Sequence, residues 1–340
     1  MKQFSSIHRG AFVASLLLCG CLMTACHHSP KQEAPSAASS IDYAQVAIPE
    51  FNSDSAFRYA SEQLDFGFRT PGSGAHAKCA AYLKNKLSQW CDTVVMQEFN
   101  TKLWNGTNVT GKNIIGSLNP EKAKRILLGA HWDSRMWADH DPDEANHKLP
   151  LPGANDGASG IAVLMEMARV MSQLRPDVGV DFIFFDVEDQ GVPEWAETYE
   201  EDSWCKGSQF WSRQPHVPYY QAVYGILLDM VGTQSPRFTK EEFSLQYAPG
   251  VTAKLWNAAA AIGHGNVFVD QKSDPILDDH LYVNRLANIP MVDIVQNTPG
   301  CSFYPYWHTV KDDINAIDAN TLGIVGNVVM KVIYGDYNSK

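Results

Sequence analysis

Residues 178–186 read VGVDFIFFD, and residues 222–231 read AVYGILLDMV. Both stretches are short, almost continuously apolar and rich in β-branched or aromatic residues. Runs of this kind are typical of strands that are buried on both faces of a parallel sheet. The two stretches therefore predict the centre of an α/β fold.

Segments with helical spacing alternate with further strand-like runs on both sides of this centre. The predicted helices cover residues 53–64, 74–90, 157–174, 254–262, 279–286 and 321–333, and the other predicted strands cover residues 93–99, 108–118, 125–130 and 291–295. This alternation indicates a central mixed, mainly parallel sheet flanked by helices. No linker interrupts the pattern, so we expect a single α/β domain.

The composition excludes several classes of protein. The chain has 340 residues, of which 45% are hydrophobic and 19% charged, which is typical of a globular protein. Its formal net charge is −11, from 27 basic and 38 acidic residues. Nucleic-acid binding usually requires a basic surface, so a nucleic-acid partner is not expected.

The N-terminus has the pattern of a targeting segment. Lys2 and Arg9 precede an apolar run over residues 11–18, which small residues follow. A basic flank, a short apolar core and small residues are typical of a secretory signal. Residues 1–25 are therefore predicted to be a signal peptide, and we expect the protein to be exported.

Small residues directly before a cysteine also resemble the lipobox of bacterial lipoproteins. Cys26 follows Thr24-Ala25 and is the preferred lipid-attachment residue, with Cys21 as an alternative. Residues 26–50 are rich in Ser, Ala and Pro and suit a flexible tether. The pattern predicts a location in the bacterial periplasm. The catalytic domain is expected over residues 51–340, and it would be attached to a membrane only through this lipid. Secretion without a lipid is the alternative.

Four further cysteines lie in the predicted domain, at positions 79, 91, 205 and 301. In an oxidising compartment four thiols allow three disulfide pairings, among which the sequence does not choose. None of them has the CxxC spacing of a thiolate zinc site.

Acidic and imidazole side chains follow the predicted strands at their carboxyl ends. They are His131, the pair Glu188-Asp189 and Asp229, together with Asp156 in a Gly-rich turn and with Asp278 and His308 in later loops. Ligands of parallel sheets collect beyond these strand ends. Carboxylates gathered there repel one another without a cation, and oxygen-plus-imidazole ligation suits zinc. A shared metal site is therefore predicted.

Taken singly, these residues have simpler interpretations. Asp156 could cap the helix that follows it, and Glu188-Asp189 could form a solvated turn. His308 alone would be an ordinary histidine. Asp229 is harder to explain in this way, because a buried strand rarely ends in a carboxylate without a partner. The joint pattern favours the metal site.

Five motifs in these regions resemble a known family. They are GAHWDSR (129–135), PGANDGASG (152–160), FFDVEDQG (184–191), LLDMVG (227–232) and WHTVKDD (307–313). In this order they are similar to the motifs of the zinc aminopeptidase family that includes the glutaminyl cyclases. The resemblance covers about residues 50–335 and implies the zinc aminopeptidase-like fold.

Within that family the chain resembles the one-zinc glutaminyl cyclases more than the two-zinc aminopeptidases. The acidic pair Asp278-Asp279 and a Trp directly before His308 are both similar to the cyclases. An aminopeptidase remains the alternative, because His131 and Asp229 could hold a second metal. A surface binding protein without catalysis is a further alternative, although such a protein would be expected to have lost Glu188.

The resemblance implies a role for each site residue. Asp156, Asp189 and His308 are expected to bind one zinc per chain. Glu188 is expected to be the general base and acid, beside a hydrogen-bonded pair of Asp229 and Asp278. Three aromatic residues are expected to wall the substrate pocket: Trp195, Trp307 and Phe303.

The implied reaction is conversion of an N-terminal glutamine of peptides or proteins to pyroglutamate, with release of ammonia, by a monomeric enzyme. The sequence departs from animal cyclases at three positions. Asp189 stands where they have Glu, Leu277 where a Gln is familiar and Asp293 where a His is familiar. These departures affect substrate hydrogen bonding and the local proton network rather than the metal-binding residues.

Overall fold

The computed structural model describes residues 41–297 and 303–338. The strands in these ranges are β1 (Thr93–Lys102), β2 (Asn108–Leu118), β3 (Arg125–His131), β4 (Gly179–Phe185), β5 (Tyr224–Asp229), β6 (Phe238–Glu241), β7 (Phe268–Ser273) and β8 (Met291–Val295). The helices are α1 (Ser53–Leu64), α2 (Gly74–Trp90), α3 (Gly160–Gln173), α4 (Lys206–Arg213), α5 (Glu242–Tyr247), α6 (Pro249–Ala261), α7 (Asp279–Tyr282) and α8 (Ala319–Asn338).

The central sheet has the strand order β1-β2-β4-β3-β5-β8. β4, β3, β5 and β8 are parallel, whereas β2 pairs antiparallel with both β1 and β4. The predicted mixed, mainly parallel sheet is therefore confirmed. Because the four parallel strands share one direction, their carboxyl ends meet at one edge of the sheet, and this edge carries the candidate site.

β4 illustrates why the sheet is covered on both faces. Val180, Phe182 and Phe184 belong to the core on one face, and Ile183 and Phe185 belong to the core on the other. Successive side chains of a strand point to opposite faces, so a strand with apolar residues at nearly every position has to be buried twice. This is the apolar run from which the fold was predicted.

Helices cover both faces accordingly. Residues of α1, α2, α3, α6 and α8 pack in the larger core, while Trp211 of α4 and Val283 pack in the core on the opposite face. Along α3 the residues from Gly160 to Ala168 are all buried, as its apolar sequence predicted. Among the described residues no helix is both long and apolar enough to cross a membrane.

The structure differs from the sequence-based elements in two places. The helix predicted from residue 157 begins at Gly160, because residues 154–159 form an irregular turn with non-helical backbone at Asp156 and Gly157. α4, α5 and the small parallel pair β6-β7 were not predicted. β7 (FVDQKS) is largely exposed and polar in its middle, so it lacks the apolar pattern of the central strands.

The described chain begins within the predicted tether. Tyr43 is buried in the main core, and the Lys331 ammonium donates hydrogen bonds to the carbonyls of Ala44 and Val46. Residues 41–50 therefore pack against the domain instead of forming part of a free tether. The predicted signal peptide, Cys26 and the rest of the tether lie outside the described residues.

The cysteines form none of the three predicted pairings. Four cysteines form two disulfides in each pairing, and only one of these can include Cys301. The other would have to join two of Cys79, Cys91 and Cys205, and all three are free thiols. Cys79 and Cys91 lie at separate points along α2, about 18 Å apart at 1.5 Å per residue, whereas a disulfide needs Cα atoms closer than about 7 Å. Cys301 lies outside the described residues.

Candidate active site

The predicted site residues meet at the carboxyl edge of the sheet. His131 is the last residue of β3, Glu188 and Asp189 follow β4, and Asp229 ends β5. Asp156, from the turn before α3, reaches into the same space. These residues are distant in sequence and adjacent in the fold, as the strand-end argument predicted.

An unusual backbone turn places Asp156. Gly153 and Gly157 have φ of +66° and +102°, and a Cβ at Gly157 would lie 2.6 Å from the carbonyl oxygen of Asp133. The buried Asp312 carboxylate accepts the backbone N–H groups of Asn155 and Asp156, at 2.8 and 3.1 Å. Since the turn is braced in this way, the Asp156 side chain faces two histidines instead of capping α3.

Asp156, Asp189 and His308 form a cluster of the size that a metal ion requires, which we call the first cluster. Their ligand atoms lie within 4.8 Å of one another, and all three residues are buried. Nε2 of His308 lies 3.1 Å from Oδ1 of Asp189 and 3.7 Å from Oδ2 of Asp156. Tetrahedral ligands at zinc distances of about 2.0–2.1 Å are separated by about 3.3 Å, so the spacing suits this metal.

His131, Asp156 and Asp229 form the second cluster. Nε2 of His131 lies 3.1 Å from Oδ1 of Asp156 and 3.2 Å from Oδ1 of Asp229. The two oxygens of Asp156 are therefore divided between the clusters. This geometry is compatible with a second metal and equally with a hydrogen-bonded imidazole.

The charges of the first cluster call for a cation. Oδ2 of Asp189 is buried without a hydrogen-bond partner. Burial, with a contribution from Asp156, raises the pKa of Asp189 to about 6. Burial lowers the pKa of His308, but the carboxylates of Asp189 and Asp139 act in the opposite direction and bring the value to about 9. A positive charge is thus favoured at this point, and the donor set fits zinc.

Arg135 and Asp139 contact the residues of the first cluster and help to fix their positions. The fully buried Arg135 donates two hydrogen bonds to the Asp139 carboxylate, at 2.7 and 2.6 Å, and one to the backbone carbonyl of Asp189, at 3.0 Å. Oδ1 of Asp139 lies 3.3 Å from Nδ1 of His308. A carboxylate on the far nitrogen fixes the orientation of a metal-binding imidazole.

Glu188 lies beside the first cluster in a dry, negatively charged environment. Its backbone N–H donates to Asp133, and Oε1 lies 3.2 Å from the thiol of Cys205. Burial raises the pKa of Glu188 well above its usual value, and Asp278 adds to this against the opposing charge of His131. A carboxyl group that both takes and gives a proton near neutral pH needs such a shift.

Asp229 and Asp278 both face this space. Burial, with a contribution from Asp278, raises the pKa of Asp229 to about 7. A carboxylate oxygen of Asp293 lies within 4.8 Å of one of Asp278, and burial, followed by Asp278, raises the pKa of Asp293 well above its usual value. Asp229 and Asp278 therefore influence each other through charge, and the hydrogen bond expected between them stays a prediction.

A cavity of about 280 Å³ opens onto these carboxylates. Glu188, Asp278 and the first cluster line its polar side. Its apolar walls are formed by Trp204, Trp307, Phe303, Met230, Ile276 and Leu277. The Trp307 ring stacks on the ring of His308, with centroids 3.9 Å apart. The cavity thus joins the metal cluster to an aromatic wall.

One predicted wall residue is replaced by another. Trp195 lies outside the cavity lining, where its ring contacts Trp137 and His147. Trp204 lies in the lining and stacks parallel to His308, with centroids 6.0 Å apart. Sequence reasoning missed Trp204 because the loop before α4 offers two tryptophans and no periodicity to choose between them.

Replacing Trp307 with Ala is expected to lower kcat/KM much more than stability. The side chain is half-buried at the edge of a small apolar cluster and lines the cavity, so its loss removes a wall of the cavity and less packing than the loss of a fully buried Trp. As a control, Trp211 is fully buried, and Trp211→Ala is expected to lower the free energy of unfolding by about 3–5 kcal/mol. Thermal unfolding and steady-state kinetics of both variants test this. A drop for Trp307→Ala as large as that for Trp211→Ala, with unchanged kcat/KM, would place Trp307 in the core.

The fold and the site define a class. A mainly parallel sheet, with carboxylate–imidazole clusters and an adjacent acid–base carboxylate at its carboxyl edge, is the arrangement of the zinc aminopeptidase-like proteins. Residues 113–333 match Peptidase family M28, and the chain belongs to that family. The resemblance predicted from the sequence motifs is confirmed.

Solved structures similar to this chain include both cyclases and exopeptidases. The glutaminyl cyclase of Bacteroides thetaiotaomicron, bound to N-acetylhistamine, is 48% identical with a TM-score of 0.84, and the match covers 86% of this chain and 100% of that one. A Zn-dependent exopeptidase of Parabacteroides distasonis is 47% identical with a TM-score of 0.83, covering 85% and 99%.

More distant relatives also include both cyclases and peptidases. The glutaminyl-peptide cyclotransferase of Bos taurus is 26% identical over 260 residues, which are 66% of this chain and 66% of that protein. The aminopeptidase YwaD of Bacillus subtilis is 26% identical over 246 residues, and the match spans 47% of its length. The chain therefore covers half to two thirds of these relatives, within an enzyme family that contains both activities.

Proposed function

We propose that the protein is a zinc-dependent glutaminyl-peptide cyclotransferase, which converts an N-terminal glutamine to pyroglutamate and releases ammonia. The observation that carries the proposal is the small cavity in which Glu188 and Asp278 face the metal cluster between aromatic walls. Cyclisation consumes no water, and such a cavity holds a single short side chain away from solvent. The similarity to glutaminyl cyclases over their full length supports it.

Asp156, Asp189 and His308 would hold one zinc, leaving a position for the substrate. When bound, zinc supplies a Lewis acid that polarises the γ-amide carbonyl. Arg135 and Asp139 orient the zinc ligands. Although Asp189 is one methylene shorter than the Glu familiar in animal cyclases, its Oδ1 still lies 3.1 Å from Nε2 of His308.

Glu188 moves the proton. It removes one from the substrate α-nitrogen, which then attacks the γ-amide carbon and closes the five-membered ring. The bond from this carbon to the amide nitrogen breaks, and Glu188 returns the proton to the departing nitrogen, which leaves as ammonia. The raised pKa of Glu188 suits both transfers, because the group has to bind and release a proton in one turnover.

The cavity walls hold the substrate in its reactive geometry. Ring closure requires the α-nitrogen to approach the γ-amide carbon, and Trp204, Trp307 and Phe303 restrict the side chain to such conformers. Asp229 and Asp278 share a proton beside Glu188, since two close carboxylates do not both ionise at low cost.

Gln-β-naphthylamide and Leu-β-naphthylamide, given to the same zinc-replete protein, test the proposal. The first is expected to release ammonia and to yield pyroglutamyl-β-naphthylamide in equal amounts, without free naphthylamine. The second is expected to remain intact. Naphthylamine released from the Leu compound would instead identify an aminopeptidase, and a Glu188→Gln preparation serves as the control for contaminating activity.

An aminopeptidase is the second candidate. The observation that favours it is the second cluster, in which His131, Asp156 and Asp229 are spaced for a further metal. These three residues would hold that further metal, which would supply the activation of water that hydrolysis needs. The number of bound zinc ions therefore distinguishes the two candidates.

We also propose the biological setting of the reaction. Its substrates would be peptides or proteins with N-terminal glutamine, and the enzyme would act as a monomer. The basic, apolar and small residues before Cys26 support export with a lipid anchor at this cysteine and a location in the periplasm. Incorporation of labelled palmitate that is lost in Cys26→Ala and kept in Cys21→Ala would identify the modified residue.

A further inference from the structure

The thiol of Cys205 contacts the proposed general base. Cys205 is fully buried, and Sγ lies 3.2 Å from Oε1 of Glu188. Its sulfur also lies within 4.8 Å of a carboxylate oxygen of Asp278. No part of the mechanism above uses this thiol.

The backbone fixes the thiol in this place. The N–H of Cys205 donates to the carbonyl of Glu188, and the N–H of Lys206 donates to the carbonyl of Val187, both at 2.9 Å. Cys205 and Val187 have φ of +53° and +57°, in the left-handed region that non-glycine residues seldom adopt. Such conformations persist where the surrounding structure determines them, so the two segments hold each other in register.

The thiol can act only as a hydrogen-bond donor here. Burial raises the pKa of Cys205 well above its usual value, and the charges of Glu188, Asp279 and Asp278 add to the shift. The sulfur therefore keeps its proton at neutral pH, and a carboxylate oxygen is the acceptor beside it. Burial also disfavours the thiolate, which is the form that a nucleophilic role would need.

The contact gives the two carboxylate oxygens of Glu188 different neighbours. Oε1 faces the thiol, while Oε2 lies on the other side, 3.9 Å from Nδ1 of His131. We propose that Cys205 is a positioning residue, whose S–H bond to Oε1 holds the Glu188 carboxylate in the rotamer that presents Oε2 to the substrate. The proposal rests on the proposed role of Glu188 as the proton-transferring group.

Kinetics of two substitutions test the proposal. Cys205→Ala removes the donor, and kcat is expected to fall roughly tenfold while KM stays within about twofold, since the substrate does not touch the thiol. Cys205→Ser keeps a donor of similar size and is expected to restore kcat to within about threefold of the wild-type value. Cys91→Ala is the matched control, because this free thiol lies at the end of α2, away from the cavity, and kcat should not change.

Infrared difference spectra test the contact independently of activity. The S–H stretching band that is present in wild type and absent in Cys205→Ala is expected at a lowered frequency, because a carboxylate is a strong acceptor. In Glu188→Gln the band should move back towards the frequency of a free thiol, because an amide oxygen accepts more weakly. The spectra need folded protein but no activity, so thermal unfolding of each variant is measured first. If Cys205→Ala does not fold, Cys205→Ser replaces it as the reference without an S–H band.

Three results would overturn the proposal: unchanged kcat in Cys205→Ala, failure of Cys205→Ser to restore kcat, or a wild-type S–H band at the free-thiol frequency. Failure of the proposed function is recognised separately. In that case wild-type protein would not cyclise Gln-β-naphthylamide, while the infrared band would still report whether Cys205 bonds to Glu188.

Discussion

Replacing Glu188 with Gln is expected to lower kcat for cyclisation by roughly 10²–10⁴-fold, the usual range for a general acid–base group. Gln is nearly isosteric and keeps the backbone bond to Asp133, so the fold should be retained. Its amide cannot accept the proton of the substrate nitrogen. Steady-state kinetics measure the loss, while zinc content and circular dichroism are expected to match those of wild type.

Glu194→Gln is the matched control for this substitution. Glu194 is an exposed carboxylate at the mouth of the same cavity, so its replacement removes an equal charge without touching the proposed proton path. We expect kcat to change by less than about threefold, as for other exposed polar groups whose loss costs little. Near-normal turnover in Glu188→Gln would remove this residue from the mechanism, and equal losses in both variants would point to a general effect of charge.

The apolar strands made the fold predictable. The stretches VGVDFIFFD and AVYGILLDMV contain β4 and β5. They could be recognised as strands because few other structures require the nearly continuous apolar sequence of a strand that is buried on both faces. The segments that could not be predicted are those without such a pattern. β7 is exposed along most of its length, and its short parallel pairing with β6 depends on tertiary contacts that leave little trace in local sequence.

The metal cluster was predictable for a topological reason. Asp189 follows one parallel strand and Asp229 ends another, and the carboxyl ends of parallel strands share one edge of the sheet. Asp156 and His308 come from loops, so their assignment as metal ligands depended on the family resemblance. The structure brings all four together in the two clusters.

The supporting residues were not predictable, because they act through contacts that no spacing encodes. Arg135 reaches both Asp139 and the carbonyl of Asp189, and Cys205 reaches Glu188 across 17 positions of the chain. Trp204 replaced Trp195 in the cavity wall because the loop between β4 and α4 folds back over the site. Side-chain direction in an irregular loop is set by packing rather than by periodicity.

His308→Ala is expected to abolish stoichiometric zinc binding, whereas His131→Ala is expected to retain one zinc per chain. His308 supplies one of three ligands of the first cluster, so its loss should weaken binding by more than the 10–100-fold typical of outer-shell substitutions. His131 belongs only to the second cluster, which is metal-free in a one-zinc cyclase. Zinc per chain, measured after dialysis by inductively coupled plasma mass spectrometry, separates the two variants.

The same measurement decides between the two candidate functions. Wild type is expected to hold one zinc, and His147→Ala serves as a control, since this imidazole bonds the carbonyl of Asp141 outside both clusters. An aminopeptidase with Asp156 as a bridging ligand would instead hold two zincs in wild type and one in His131→Ala. Active wild-type protein with two tightly bound zincs would therefore overturn the cyclase proposal, because His131, which lies between the carboxylates of Asp156 and Asp229, would then be a metal ligand instead of their hydrogen-bond partner.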